Sequence, residues 1–321
     1  MSELSGKVRG NHHITLSTGG AQEDWDFHTL TLGMRPTKKT MLYDGAEPVY
    51  HLYYANADLD AGSVLTTFPM RQQGLVGERG SNQIKEVCLS IDEGSIDYWA
   101  DRLDGLGIAT EHAELFGTKR LKFAHPCGIP YTLVGTSGDE RRGYGGNGVE
   151  AEHGIKGAYA PLISAIRADE MIWYLEKGLG ARQVDEDGRA RAWDLGGAPF
   201  GSRVEIVEEP DVAPGTWHFA EGTPHHWAFN VSTEDNQLEL KGYIEGLGFT
   251  DVTEVKHRGY FMSVYNRTPS GALFEYAYSL PEGFLVDEPE ATLGTEVKIP
   301  PPFAHLADEM LAYLEPIEDR F

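Results

Sequence analysis

The chain has 321 residues with 40% hydrophobic and 24% charged residues, a composition typical of a folded protein of about two domains. Its 50 acidic residues exceed its 27 basic residues, which gives a formal net charge of −23 at pH 7. Such an acidic surface repels phosphate backbones and anionic lipids, so we expect no nucleic-acid or membrane partner and favour a small neutral or cationic molecule.

Four similar units follow one another along the chain, with a period of roughly 70 residues. Each unit begins with an apolar run typical of a strand, over residues 12–17, 84–91, 158–166 and 225–231. In each unit a helix follows and ends at a Leu-Gly pair. The glycines of the four pairs are Gly33, Gly107, Gly180 and Gly248. Each unit closes with a turn that leads into a strand, most clearly over 125–132 and 268–275. The repeated unit is therefore βαβββ.

This repeat predicts an α+β fold with two domains of two units each. We expect an N-terminal domain over 8–136, a linker over 137–154 and a C-terminal domain over 155–282. The linker is rich in glycine and in charge, which is typical of a connection between units. Residues 283–321 carry no fifth copy, and we expect them to form a tail with a short helix.

Gly143, Gly145 and Gly148 match the spacing of a dinucleotide-binding loop. That motif requires a strand before it and a helix after it, whereas charged and small residues flank these glycines. We therefore interpret them as part of the linker.

The sequence favours a reducing cytoplasmic location. Only two cysteines occur, Cys88 and Cys127, and the N-terminal residues lack the apolar core of a secretion signal. No apolar run approaches the length of a membrane span.

Two histidine pairs, His12-His13 and His225-His226, occupy corresponding places at the start of units one and four. Two such pairs among 12 histidines are a modest excess over chance, so their position is the stronger argument. The openings of units two and three contain no histidine.

Two histidines and one carboxylate are available as metal ligands only when units one and four are combined. The matching position in the closing strands of units one to four is occupied by Thr66, Thr132, Glu205 and Glu275. Two imidazoles and one carboxylate form the facial triad associated with non-haem Fe(II). We therefore predict that unit one pairs with unit four and that His13, His226 and Glu275 bind a metal, whereas Glu205 is a surface carboxylate or a member of an ion pair.

Several segments of the sequence resemble conserved motifs of the vicinal oxygen chelate superfamily, and within that superfamily those of the hydroquinone-type ring-cleaving dioxygenases. The similarity extends from about residue 8 to residue 285 and rests on residues 11–15, 50–54, 66–69, 258–261 and 267–269. It implies two half-barrel domains of the glyoxalase/dioxygenase type. It also implies a mononuclear Fe(II) site with the three ligands named above.

The same resemblance implies a set of residues that line the substrate pocket and act in catalysis: His12, Thr15, His225, Arg258 and Tyr265. Thr15 lies two residues from His13, so both side chains share one face of a strand. His12 and His225 should point away from the metal unless a bulge turns them. Arg258 would stabilise negative charge and Tyr265 would donate a hydrogen bond, although an ion pair and a core position are the alternatives for these two residues.

The chain departs from the family pattern at His125-Pro126-Cys127-Gly128, which is one residue shorter than usual, and this bears on loop shape and substrate preference. We expect the other histidines to be surface or structural residues. They are His28, His51, His112, His125, His153, His218, His257 and His305.

The function implied by the resemblance is Fe(II)-dependent opening of a substituted or unsubstituted hydroquinone with O2, by a homodimer or a higher homo-oligomer. Three alternatives remain open: an extradiol catechol dioxygenase, a metal-dependent lyase or isomerase of the glyoxalase type, and a non-catalytic protein that binds an aromatic compound.

Overall fold

The computed structural model describes residues 7–43, 45, 47–198 and 200–321. The strands of the first two units are β1 Val8–Thr18, β2 Arg35–Leu42, β3 Val49–Ala55, β4 Val64–Pro69, β5 Gln83–Asp92, β6 Glu111–Leu115, β7 Thr118–Ala124 and β8 Pro130–Thr136. Those of the last two units are β9 Gly157–Ala165, β10 Arg182–Asp187, β11 Ala190–Asp194, β12 Arg203–Glu208, β13 Thr223–Val231, β14 Lys256–His257, β15 Phe261–Arg267 and β16 Leu273–Ser279.

One helix follows the first strand of each unit. These helices are α1 Ala21–Asp26, α2 Ile96–Gly105, α3 Asp169–Trp173 and α4 Glu234–Gly246, and a fifth helix, α5 Ala307–Tyr313, lies in the tail. A single π-helical turn extends α1 over Phe27–Thr31 and α3 over Tyr174–Gly178. The glycines of the four Leu-Gly stops have φ between +60° and +101°, the left-handed conformation that ends a helix. None of the described helices has the length and apolar character needed to cross a bilayer.

The strands form two curled sheets of eight strands each. The first sheet has the order β14-β15-β16-β13-β1-β4-β3-β2, and the second has the order β10-β11-β12-β9-β5-β8-β7-β6. The predicted α+β fold of four βαβββ units in half-barrels is therefore confirmed. Units one and four share the first sheet, as the ligand positions require, and units two and three share the second. Each predicted half, 8–136 and 155–282, thus contributes one unit to each sheet, and the domain boundaries themselves stay a prediction.

Two kinds of apolar packing hold this arrangement. A large cluster contains most of the buried aliphatic residues and the tryptophans Trp25, Trp99, Trp193 and Trp227, all of which are fully buried. A separate small cluster forms on the concave face of the first sheet, with Tyr53, Ala55, Val64, Ala228, Tyr260, Phe261 and Ala277. We call this concave face the cup. Three aromatic side chains and three alanines contribute to it.

The linker and the tail take the positions expected from their sequences. The segment with Gly143, Gly145 and Gly148 is an irregular connection between β8 and β9, and no helix follows it directly. The tail packs against the first unit, where the Asp319 carboxylate accepts hydrogen bonds from Trp25 Nε1 at 3.0 Å and from Lys39 Nζ at 2.8 Å.

Candidate metal centre in the cup

Strand register brings residues from the two ends of the chain to one place. His13 on β1 lies opposite Ala228 on β13, and Ala228 lies opposite Glu275 on β16. His226 is two residues before Ala228 and therefore shares its face of the sheet. Because β1 and β13 are neighbours at the centre of the first sheet, units one and four contribute to the same site.

The three side chains converge at their ligating atoms. His13 Nε2 and His226 Nε2 are 3.0 Å apart, and Glu275 Oε2 lies 2.8 Å from His226 Nε2 and 3.4 Å from His13 Nε2. All three residues are buried. Two ligand atoms that are each about 2.1 Å from a common ion, at a right angle, lie about 3 Å apart. The spacing therefore matches three neighbouring positions around one ion.

Two bulges turn the neighbouring histidines toward these ligands. The pairing of β1 with β13 slips between Asn11 and His13 and again where Thr15 faces His226, so His12 and His225 are left out of the regular ladder. His12 Nδ1 lies 2.8 Å from His13 Nδ1, and His225 Nδ1 lies 2.6 Å from His226 Nδ1. A bulge changes the direction of a side chain that simple alternation would place on the opposite face.

With a metal at Nε2 of both ligands, these contacts fit one set of tautomers. An imidazole that binds a metal through Nε2 carries its proton on Nδ1, so His13 and His226 would donate from Nδ1 to His12 and His225. His12 would in turn donate from Nε2 to Ser279 Oγ, which lies 2.8 Å away. In this assignment the Nε2 lone pairs of His13 and His226 face each other, an arrangement that a cation between them would stabilise.

The Glu275 carboxylate is also in a state that suits a metal ligand. Ser263 Oγ donates to Glu275 Oε1 at 2.5 Å, whereas the buried Oε2 accepts no well-aligned hydrogen bond. Burial alone would raise the pKa of Glu275, but His13 and His226 hold it well below its usual range. Burial lowers the pKa of His226 in spite of the Glu275 charge. An ionised carboxylate and neutral imidazoles are the protonation states that a divalent metal requires, so the donor set fits such an ion.

Arg258 and Tyr265 form a pair beside this centre. Tyr265 lies opposite Glu275 in the pairing of β15 with β16, and its ring is 5.4 Å from the ring of His226. Arg258 Nε donates to the Tyr265 hydroxyl oxygen at 3.1 Å. Burial raises the pKa of Tyr265, and although burial alone would lower the pKa of Arg258, Tyr265 and Glu275 raise it. The cup therefore contains a neutral phenol and a permanent cation.

A chain of hydroxyl groups and one imidazole leads away from the metal ligands. Thr15 Oγ1 lies 2.7 Å from Thr66 Oγ1, which lies 3.0 Å from His51 Nε2. The Tyr53 hydroxyl lies 3.0 Å from His51 Nδ1. Thr15 is predicted at this site from the sequence, whereas His51 and Tyr53 are not. Their spacing of two residues in β3, which puts both on one face, was the available signal.

The structure therefore gathers every predicted site residue around the cup. These residues are His12, His13, Thr15, His225, His226, Arg258, Tyr265 and Glu275.

The second sheet has a carboxylate at the corresponding place but neutralises it with a cation of the protein. Glu205 lies opposite Leu162, which in turn lies opposite Glu86, so Glu86 occupies the position that corresponds to His13. Arg120 donates to both oxygens of Glu205, at 2.7 and 2.8 Å, and Lys122 donates to Glu86 at 3.0 Å. Of the two alternatives for Glu205, the ion pair is the one that the structure shows, since the residue is buried and its carboxylate has no free edge for a metal.

A second group of two histidines and one carboxylate is buried between α1 and β8. Asp24 Oδ1 lies 3.4 Å from His28 Nδ1 and 3.2 Å from His125 Nε2. His28 Nε2 contacts the Tyr131 hydroxyl at 2.8 Å, and His125 Nδ1 accepts from the Cys127 backbone N–H at 3.1 Å. The nitrogens that face Asp24 therefore carry protons. We interpret this group, the Asp24 cluster, as a hydrogen-bonded link between units one and two, and its histidines are structural as expected.

Replacement of Asp24 by alanine is expected to lower the free energy of unfolding by about 3 kcal/mol, because it leaves several buried donors without an acceptor. Tyr54 donates to Asp24 Oδ2 at 2.9 Å, and Thr67 donates to the same oxygen.

Burial alone would raise the pKa of Asp24, but His28 and His125 hold it well below its usual range. Stability from the ionised form is therefore present above the unfolded pKa of about 3.9 and decreases as the pH falls below it. Urea unfolding of Asp24→Ala and wild type from pH 7 downward measures both effects, and a stability difference between the two proteins that does not change with pH would contradict this prediction.

Comparison with known proteins gives the following relatives. No family model matches the chain. Chlorohydroquinone/hydroquinone 1,2-dioxygenase of Sphingobium indicum is 39% identical over 314 residues, which cover 97% of each chain. MhqE of Bacillus subtilis, provisionally named a ring-cleaving dioxygenase, is 31% identical and is covered over 94% of its length by 92% of this chain.

Solved structures agree with this similarity. A Bacillus subtilis protein provisionally named a dioxygenase superimposes with a TM-score of 0.91 at 28% identity, covering 98% of this chain and 99% of its own. Glyoxalase I from Zea mays has a TM-score of 0.62 at 13% identity, covering 84% of this chain and 92% of its own. The maize protein therefore shares the fold alone.

Proposed function

Because the chain belongs to the family of ring-cleaving dioxygenases that includes chlorohydroquinone/hydroquinone 1,2-dioxygenase, we propose that it opens a hydroquinone with O2. The bond broken joins a hydroxylated ring carbon to its neighbour, and the substrate is hydroquinone itself or a substituted form. The observation that carries this proposal is the convergence of His13, His226 and Glu275 in a cup with aromatic walls.

We propose Fe(II) as the ion that His13, His226 and Glu275 hold. When bound, Fe(II) supplies the one-electron chemistry by which O2 reacts with an electron-rich ring, and two imidazoles with one carboxylate are its usual ligands in oxygenases. With three protein ligands, the ion would have other coordination positions for substrate and O2.

Arg258 and Tyr265 manage negative charge in this scheme. A hydroquinone that binds as a phenolate brings a negative charge into a buried space, and the Arg258 guanidinium offsets it. Arg258 donates to the Tyr265 oxygen, so the phenolic proton of Tyr265 is free to donate to an oxygen atom in the cup. Burial keeps Tyr265 in the protonated form that this role requires.

His12 and His225 have different roles in the proposed site. His12 contacts His13 with one nitrogen and Ser279 with the other, which suits it to orient the His13 ring. His225 contacts His226 through Nδ1 and stacks on Phe219 with ring centroids 3.6 Å apart. Because His225 Nδ1 accepts from His226, the His225 proton is on Nε2, so we propose that Nε2 donates a hydrogen bond to an oxygen of the substrate.

We also propose that the protein works in the reducing cytoplasm and as a homo-oligomer. Neither Cys88 nor Cys127 forms a disulfide. Large apolar side chains, including Trp173 and Trp217, are exposed and are available to a second copy. Analytical ultracentrifugation measures the oligomeric state, and a monomer at micromolar concentration would contradict the proposal.

Oxygen uptake with a panel of aromatic compounds tests the proposed function. After anaerobic loading with Fe(II), hydroquinone should consume one O2 per ring and give a product heavier by two oxygen atoms in mass spectrometry. Turnover of catechol alone would identify an extradiol enzyme. Isomerisation of a hemithioacetal without O2 would identify a glyoxalase-type enzyme, and binding without turnover would identify a binding protein. Each of these three outcomes overturns the proposal.

Replacement of Arg258 by methionine is expected to lower kcat/KM for hydroquinone by about 10²- to 10³-fold, because a preorganised charge is lost from the cup. Bound metal should stay at the wild-type level, since Arg258 is not among the candidate ligands. Arg182→Met, an exposed arginine of the second sheet, is the matched control and should retain full activity. Steady-state oxygen uptake measures both variants, and equal activity of the two would contradict this role.

A further inference from the structure

One continuous hydrogen-bonded chain of side chains leads away from the candidate metal ligands and has no role in the reaction proposed above. It consists of Thr15, Thr66, His51 and Tyr53. Its successive heavy-atom distances are 2.7, 3.0 and 3.0 Å. Thr15 and Thr66 are fully buried. His51 packs between Tyr53 and Phe68, with ring centroids 4.3 and 4.4 Å away. Packing on both sides fixes the imidazole in this position.

The number of protons in this chain determines what it offers to a ligand. Tyr53 is a neutral phenol and His51 is a neutral imidazole, because burial raises the pKa of the first and lowers that of the second. Each of the four groups thus carries one hydrogen, and the three links use three of them. If all hydrogens point toward Thr15, its hydroxyl donates into the cup. If all point toward Tyr53, Thr15 can accept a hydrogen bond instead.

The position of Thr15 matches one end of a para-substituted ring. Thr15 follows His13 by two residues on the same face of β1, which places it about 7 Å farther along the strand. A 1,4-dihydroxybenzene held at the metal by one oxygen has its second oxygen at the opposite end of the ring. A 1,2-dihydroxybenzene has both oxygens at the metal end.

We propose that this chain recognises the distal hydroxyl of a 1,4-dihydroxylated substrate, with Thr15 in contact with the substrate and His51 as a positioning residue that acts through Thr66. This inference rests on the proposed function and names the feature that selects hydroquinones over catechols. The hydrogen-bonded chain donates to a distal phenolate when its hydrogens point toward Thr15, and it accepts from a distal phenol when they point toward Tyr53. Of its four members, only His51 has two ring nitrogens, so it can carry its hydrogen on either side of the ring.

Anaerobic calorimetry of the metal-loaded protein tests the proposal with two probes, hydroquinone and 4-methylphenol, which replaces the distal hydroxyl by a methyl group. Wild type should bind hydroquinone about 10-fold more tightly, because a polar site rejects an analogue that leaves it unpaired. His51→Phe, which retains ring packing, and Thr66→Val should each bring the affinity ratio close to one. The double variant should be no worse than either single variant, since all act on one chain.

Thr132→Val is the matched control, because Thr132 occupies the place of Thr66 in the second sheet and donates to Glu86 at 2.7 Å. It should keep the wild-type affinity ratio. A ratio near one in wild type, or a wild-type ratio in a folded His51→Phe protein, would overturn the inference while the proposed function stands. Additive losses in the double variant would also overturn it. If wild type neither binds nor oxidises hydroquinone, the proposed function fails and the inference fails with it.

Discussion

Glu275→Ala should lose both bound metal and oxygen uptake, and this is the largest effect on function that the structure implies. The substitution removes one of three converging ligands and the one negative charge among them. Two neutral imidazoles bind a divalent ion far more weakly than the complete set, so we expect turnover to fall by about 10³-fold or more. Plasma emission spectroscopy measures the metal, and an oxygen electrode measures turnover.

The fold of Glu275→Ala should be retained. Without an ion, Glu275 still contacts His13, His226 and Ser263, so its removal should cost the metal-free protein some stability, but the large apolar cluster that holds the fold does not include Glu275. Ser263→Ala is the graded control, since it leaves all three ligands in place and removes the 2.5 Å hydrogen bond to Oε1. It should weaken metal binding by about 10- to 100-fold. A folded Glu275→Ala protein with wild-type metal content would refute the assignment of this ligand.

The repeat in the sequence was sufficient to predict four βαβββ units and the three converging side chains, whereas the half-barrel form of the sheets followed from the resemblance to a known family. Corresponding positions in repeated units have corresponding places in a sheet, so comparison of the units isolated His13, His226 and Glu275 without knowledge of the structure. The pairing of units one and four followed from the same comparison. Chain connectivity alone does not distinguish this pairing from one between consecutive units.

Other parts of the site depend on register and packing that a single sequence does not display. A shift of one residue moves a side chain to the opposite face of a strand, and the bulges that turn His12 and His225 toward the ligands are such shifts. His51 joins the cup because β3 pairs with β4, which brings it to Thr66. The Asp24 cluster requires α1 to pack against the turn before β8, which is a contact between residues about 100 positions apart.

The comparison of the two sheets explains why we expect a metal in only one of them. Both sheets place a buried glutamate at the same position, Glu275 in the first and Glu205 in the second. In the first sheet the neighbouring side chains are imidazoles, which carry no permanent charge, so an external cation can balance the charge. In the second sheet Arg120 and Arg203 already contact Glu205, and the charge is balanced within the protein. The same position thus serves binding in one sheet and stability in the other.

Glu205→Ala is therefore expected to reduce stability strongly without affecting the metal. Arg120 and Glu205 are 1% and 0% exposed, so the substitution leaves a guanidinium buried without its partner. Loss of one member of a buried pair costs about 3–5 kcal/mol, which urea unfolding measures. Metal content and oxygen uptake per folded molecule should equal those of wild type. This separates Glu205→Ala from Glu275→Ala, in which the effects are reversed.

The double variant Arg120→Met/Glu205→Leu distinguishes a cost of unpaired charge from a simple loss of packing. Replacement of both charges by apolar side chains of similar size removes the uncompensated guanidinium, and such exchanges are often neutral or stabilising. Arg203 retains Asp185 as a partner at 3.3 Å, so it is not left unpaired. We expect the double variant to unfold at a higher urea concentration than Glu205→Ala. If it is as unstable as the single variant, the shape of this region rather than its charge balance determines the stability of the second sheet.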